Sequence, residues 1–293
     1  MRNFIEEVKS GKVLISDGAW GTFLYEKGLS SDECPELWNL THRDKVLEIA
    51  KSYIDAGSDM ILTNSFGASP YKLKRYGLDD RTYEINKTAA EISREAAGDD
   101  HFVLGSIGPT GAILMMGDIS EEELFNGFAI QAKALADGGA DAICVETMSD
   151  IAEAVSAVKA AKSACDLPVV CTFTFEKTVN NDYRTMMGVT PAQMAVELKN
   201  AGASVIGSNC GNGFDQMIEI VKEIRSVEKE LPVLVHANAG KPVFQEGKTV
   251  YLETPDSMAH KLNLLIESGA NIIGGCCGTT PRHIEAFVNT IKK

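Results

Sequence analysis

Three cysteines fall in two glycine-rich segments: Cys210 in SNCGNG, and the adjacent pair Cys276-Cys277 in GGCCGTTPRH. Thiolates are soft donors that favour zinc over magnesium or calcium. Three protein thiolates on a tetrahedral ion leave one open position, the arrangement of a catalytic rather than a structural site. The same residues also fit small buried side chains or a vicinal disulfide, and an adjacent Cys-Cys pair is not a common metal signature. Glycines 207, 211, 213, 274, 275 and 278 crowd both segments and permit close backbone approach.

Eight short apolar, β-branched runs recur along the chain, at residues 13–17, 59–63, 102–106, 142–146, 168–174, 204–209, 232–236 and 271–275. Near-continuous apolar runs are what parallel strands need when both faces are buried. Amphipathic patterns alternate with them at residues 45–56, 124–136, 151–164, 192–201, 217–224 and 258–266. Pro191, Pro255 and Pro281 stand near proposed helix starts, where a missing N–H costs least. The series predicts an α/β fold, a (β/α)8 TIM barrel with a short N-terminal helical extension. A doubly wound open sheet is the alternative. With no Pro/Ser-rich linker or charge block to divide it, the chain reads as one domain over residues 1–293.

A barrel places its chemistry at the C-terminal strand ends. Those ends carry Asp17-Gly18, Thr63-Asn64, Ser106, Glu146-Thr147, Thr174, Asn209-Cys210, His236 with Asn238, and Cys276-Cys277. Strand ends turn polar on reaching solvent in any case, which accounts for the threonines but not for three cysteines. Asp17 also suits the ordering of a Gly-rich turn, and Glu146 the capping of the following helix. Cys144 and Cys171 lie inside apolar runs and Cys165 near a helix end, so packing is their expected role. Cys34 precedes Pro35 in a loop that can approach the rim.

The net charge of −13 and the lack of a long Lys/Arg run disfavour nucleic acid and anionic membranes as partners. No run of about twenty apolar residues and no signal-like N-terminus is present, so a cytoplasmic location is the default expectation. Seven cysteines without a signal peptide point to metal or catalytic use rather than a disulfide framework.

DGAWGT near the N-terminus, SNCGNG and GGCCGTTPRHI together resemble the homocysteine S-methyltransferases over essentially the whole chain. TNSFGAS, GSIGPTG, ETMSD and NAGKP look most similar to the homocysteine-binding module of cobalamin-dependent methionine synthase. The resemblance implies that Cys210, Cys276 and Cys277 hold Zn2+ and that the substrate thiolate takes the fourth position. It implies further that Asp17 and Glu146 bind the amino group of homocysteine. Backbone N–H groups around Gly18 and Ala19 would hold its carboxylate, with Asn238 close to the metal. Two carboxylates can share an ammonium's three donors, and a thiol with pKa about 8.5 needs a metal to be ionised at neutral pH.

The implied donor is methylcobalamin carried by a separate corrinoid protein, since the chain has no room for cobalamin or folate domains. S-methylmethionine or betaine as a free donor, another thiol or selenol as acceptor, and a non-catalytic zinc- or thiol-binding barrel are the alternatives. One loop departs from the family pattern: Tyr183 precedes Arg184, and Met186 and Met187 follow it, which leaves its role open.

Overall fold

The computed structural model describes residues 3–112, 114–245 and 248–291. Eight parallel strands form the central sheet: β1 (Leu14–Ile15), β2 (Met60–Leu62), β3 (Phe102–Ile107), β4 (Ala142–Met148), β5 (Val169–Phe173), β6 (Val205–Asn209), β7 (Val233–Ala237) and β8 (Ile272–Gly275). From β2 to β8 each strand pairs with its sequence neighbour, and β1 pairs with β8, Leu14 opposite Ile272. That order is a barrel's and excludes the doubly wound alternative.

The seam between β1 and β2 is closed largely by side chains. Asp59 N–H donates to Ile15 O at 2.7 Å, and Asp59 Oδ2 accepts the Ile15 N–H at 2.8 Å. Higher up, Asp17 Oδ2 accepts the Leu62 N–H at 2.7 Å. Two carboxylates thus stand in for ladder carbonyls, so that buried backbone donors on these short strands stay paired.

The main helices are α1 (Phe4–Val8), α2 (Arg43–Asp55), α3 (Thr82–Ala97), α4 (Glu121–Asp137), α5 (Ile151–Ala164), α6 (Pro191–Ala201), α7 (Phe214–Val227), α8 (Leu262–Ser268) and α9 (Pro281–Ile291), with further short helical segments such as Gly21–Glu26 between them. Helices α2–α9 follow the eight strands in order and cover the barrel. Pro191 opens α6 behind a Thr190 cap, and Gln193 completes a capping box. The pattern at 258–266 is not one helix: Pro255–Ala259 and α8 are separated at His260-Lys261. There the Lys261 N–H turns to Met258 O, and its ammonium reaches Asp215 and Glu253.

Inside the barrel, Leu14, Met60, Leu62, Phe102, Leu104, Ala142, Cys144, Val170, Val205, Leu234 and Ile272 pack into one cluster, and α1 plugs its lower end with Phe4 and Val8. Phe4 meets Phe102 edge to face at 5.5 Å. The two-residue period carries the inward row on to Ser106, Glu146, Thr172, Asn209 and His236. The interior is therefore apolar below and polar at the mouth, and all five polar residues are buried. Among the described residues, no helix is long and apolar enough to cross a membrane.

Candidate metal and substrate site

The chain places Cys210 just beyond β6 and Cys276-Cys277 just beyond β8, with β7 between. Their three sulfurs lie within 4.8 Å of one another, the one cluster of metal-capable groups among the described residues. Cys210 Sγ and Cys277 Sγ are 3.9 Å apart. Two sulfurs held about 2.3 Å from a single tetrahedral ion stand roughly 3.8 Å apart, so the pair fits such an ion.

The backbone is drawn in to make this possible. Cys210 adopts φ 62, in the left-handed region that costs a non-glycine residue free energy. Its N–H donates to His236 O at 2.9 Å, and Cys276 N–H donates to Ala237 O at 2.7 Å. Ala239 N–H reaches Cys277 O at 3.0 Å. Asn238 is thereby bracketed by residues bonded to both cysteines of the pair, and its wholly buried Oδ1 has no partner among the described residues. A buried acceptor left unpaired is costly and points to a missing cation or donor.

Without a cation the three sulfurs share charge unequally. Proton sharing with Cys210, 3.9 Å away, and with Cys276 holds Cys277 well below the ordinary thiol range. Cys276, bonded to the other two, is pushed well up. For Cys210 a bond from Cys276 lowers the value, but Cys277 and burial outweigh it and carry it to about 11. Three clustered thiols oppose one another's ionisation, and a cation bound among them would favour the thiolate at each. Cys144 and Cys171 are buried strand residues whose thiols burial pushes up, and Cys165 caps α5. Cys34 does not reach the cluster. It packs with Ala68, Leu73 and Ile85, its Sγ donating to Glu36 at 3.4 Å.

On the same mouth sit two buried carboxylates. Glu146 accepts the Ser106 hydroxyl on Oε1 and only a long 3.5 Å bond from Asn209 Nδ2 on Oε2. It is not the cap of α5, a task that Asp150 performs through the Ala152 and Glu153 N–H groups. Asp17 Oδ2 also accepts Trp20 Nε1–H at 2.7 Å, whereas Oδ1 holds only the Ser16 hydroxyl at 3.1 Å. Asp17 does order its turn, then, and still keeps one oxygen lightly used. Burial raises Asp17 to about 6 and Glu146 to about 7, the latter further raised by the charges of Asp17 and Cys277. No cationic side chain among the described residues offsets either. Two buried carboxylates with lightly used oxygens and no cationic partner are costly to ionise, and a cation beside them would relieve that cost.

Gly18 joins this wall because an added Cβ would stand 2.8 Å from Thr279 Oγ1 and 2.9 Å from the Tyr53 ring. Its N–H has no acceptor among the described residues, while the Ala19 N–H donates to Thr279 Oγ1 at 3.1 Å. Thr279 in turn donates to Cys276 O at 2.7 Å, coupling the DGAW turn to the cysteine loop.

Sequence reasoning placed Asn209 at a polar strand end but gave it no role in the site. Its Oδ1 accepts the Thr147 N–H at 2.8 Å and the Thr172 hydroxyl at 2.7 Å, and its Nδ2 donates to Thr147 Oγ1 at 2.6 Å as well as to Glu146. It holds Thr147 at φ 62 and stands next to Cys210, joining the carboxylate to the thiolate loop. The inward polar alternation at a strand end was the available signal.

The sequence profile of the family "Homocysteine S-methyltransferase" matches residues 14–291. The chain belongs to that family. It is 32% identical, over an alignment 308 positions long, to a methionine synthase of Mycobacterium tuberculosis and 31% identical to that of Mycobacterium leprae. Each alignment covers 98% of this chain but 25% of the relative, so the chain spans about a quarter of the length of these curated relatives. The metallated form of the homocysteine methyltransferase MmuM from Escherichia coli has the same fold, with TM-score 0.77 and 23% identity over 94% of this chain and 95% of that one.

Proposed function

We propose that the chain transfers a methyl group to the thiol of homocysteine, forming methionine, and that residues 1–293 act as one unit in doing so. The observation that carries this reading is the three-sulfur cluster facing an uncompensated carboxylate pair across one barrel mouth. Cys210, Cys276 and Cys277 would hold Zn2+, and Asn238 Oδ1 stands ready beside them. Bound there, the ion would supply the charge that keeps the substrate thiol ionised at neutral pH.

Asp17 and Glu146 receive the ammonium on Oδ1 and Oε2. The Gly18 N–H, and the Ala19 N–H once it releases Thr279, receive the carboxylate. Held at both ends, the amino acid presents its sulfur to an incoming methyl in one orientation, the positioning that an in-line displacement requires. The sulfur–carbon bond forms as the donor–carbon bond breaks, and that electron pair leaves with the donor. No general base is needed.

For the donor we favour methylcobalamin on a separate corrinoid protein. Large apolar side chains stand exposed on the strand-to-helix segments around the mouth, among them Phe66, Met116, Val179, Met186, Phe244 and Leu252. A rim of this kind suits a docked macromolecule better than a small hydrophilic cation. The hairpin Glu176–Lys177/Tyr183–Arg184 contributes to it: Tyr183 is buried, and Met186 beyond it is 84% exposed.

The test is a donor screen on zinc-loaded protein, with loss of the homocysteine thiol as readout. Turnover with methylcobalamin is expected. Turnover with S-methylmethionine or betaine and none with methylcobalamin would overturn the corrinoid reading, and purified protein without zinc would overturn the site itself.

A further inference from the structure

The Ala19 N–H belongs to a residue only 4% exposed, and a donor so placed is costly without a partner. The chain supplies one from the far end of its sequence. Thr279 Oγ1 accepts the Ala19 N–H at 3.1 Å while donating its own proton to Cys276 O at 2.7 Å. Two glycines make room for this oxygen: an added Cβ would stand 2.8 Å from it at Gly18 and 2.1 Å from it at Gly275. The Tyr53 hydroxyl holds the same residue by its other backbone group, donating to Ala19 O at 2.7 Å.

The two contacts differ in kind. Tyr53 holds the turn through a carbonyl that an anionic ligand would not use. Thr279 occupies one of the two N–H groups assigned above to the substrate carboxylate, and occupies it as a neutral acceptor. A hydrogen bond to a carboxylate is roughly twice as strong as one to a neutral oxygen, so an arriving carboxylate would take the place. Yielding costs Thr279 little, because its proton stays on Cys276 O. That carbonyl also accepts the Thr279 N–H at 3.1 Å, so the cysteine loop keeps its shape.

We propose that Thr279 is a positioning residue that stands in for the substrate's carboxylate. Its hydroxyl keeps the Ala19 N–H paired and the turn set until the amino acid binds, and then gives way. This rests on the homocysteine reading above. The hydroxyl opposes binding by the one hydrogen bond that must break, and does so only for thiols that carry a carboxylate. 3-Aminopropanethiol, which is homocysteine without its carboxyl group, leaves the Ala19–Thr279 contact intact.

The experiment titrates zinc-loaded Thr279→Ser and Thr279→Ala with homocysteine and with 3-aminopropanethiol in a calorimeter. Both variants lack the threonine methyl, so the pair differs only in the hydroxyl. The alanine variant should bind homocysteine roughly 3- to 10-fold more tightly than the serine variant, the worth of one neutral hydrogen bond, and the aminothiol equally. The serine variant should keep the wild-type ratio of the two affinities. Equal homocysteine affinities, weaker binding by the alanine variant, or the same gain for both ligands overturns the proposal, since a merely structural hydroxyl moves both ligands together. Nuclear magnetic resonance on wild type with isotope-labelled alanine gives an independent reading. The Ala19 amide signal should move with homocysteine and hold still with the aminothiol. An Ala19 amide indifferent to homocysteine overturns the proposal whether or not the variants fold. Homocysteine binding with an unchanged variant ratio sinks the stand-in alone, whereas no binding to wild type sinks the proposed function and the stand-in with it.

Discussion

Glu146→Gln separates a binding carboxylate from a structural one, because the two roles predict opposite signs. Glu146 is buried with its pKa raised from 4.5 to about 7, chiefly by desolvation. A carboxyl raised in the folded state binds its proton more tightly there than in the unfolded chain. Its ionisation therefore costs stability as pH rises through the window from 4.5 to about 7, and the cost is constant above it. A shift of this size corresponds to about 3 kcal/mol at pH 8, an order-of-magnitude figure for so buried a group. The glutamine side chain carries no such cost and can still accept the Ser106 hydroxyl.

The variant should accordingly melt higher than wild type at pH 8, and the difference should shrink towards nothing by pH 4.5. Homocysteine binding should move the other way. Exchanging a charged acceptor for a neutral one beneath an ammonium loses on the order of 1.5–3 kcal/mol, or roughly 10- to 100-fold in affinity. The assays are thermal melts from pH 4.5 to 8 and calorimetric titration with homocysteine. Binding to wild type at pH 6 should also release protons, seen as a dependence of the observed heat on the buffer's ionisation enthalpy. A variant that melts lower at pH 8 and binds homocysteine unchanged would refute the reasoning and make Glu146 a strut for Ser106 and Asn209.

Asp17 offers a parallel pair. Asp17→Asn can keep an oxygen towards the Leu62 and Trp20 donors and turn its amide to Ser16, so it should fold normally and bind homocysteine more weakly. Asp17→Ala leaves those two donors without their acceptor and should cost about 2–4 kcal/mol in urea unfolding. Cys276→Ser should reduce zinc to well below one ion per chain by elemental analysis, with loss of methyl transfer; retention of both would contradict the assigned ligand set. Gly207→Ala tests the barrel itself, since an added Cβ would overlap the Leu234 carbonyl oxygen in the neighbouring strand. It should cost roughly 3 kcal/mol or more, read as a fall in melting temperature on the order of 5 °C.

The strands were legible because burial on both faces leaves a plain apolar run, and the eight runs predicted from sequence contain or overlap all eight barrel strands. Helix α3 was not among the predicted helices. Its buried face is Ile85, Asn86, Ala89, Ala90, Ile92, Ser93 and Ala97, and small or polar residues pack there by closeness and hydrogen bonding rather than by apolar bulk. Asn86 Nδ2, for instance, donates to Ala68 O at 2.9 Å. Periodicity of hydrophobicity is a weak signal for a face of this kind.

At the site the residue types that can bind a metal announced themselves, and the residues that hold them did not. Three cysteines at two glycine-rich strand ends carry chemistry in their side chains, so spacing alone raised the question of a metal. Asn209 and Thr279 are ordinary residue types whose meaning lies in contacts across the fold. Thr279 matters only because it touches a turn 260 positions earlier. Asp17 shows the further difficulty that one residue can serve both ends. The oxygen that closes the barrel seam is Oδ2, and the oxygen proposed to meet the ligand is Oδ1. No reading of type and spacing separates two atoms of one side chain. In this chain the staple that closes the barrel and the proposed ligand contact are the same carboxylate, so binding the amino acid and completing the barrel seam are coupled at Asp17.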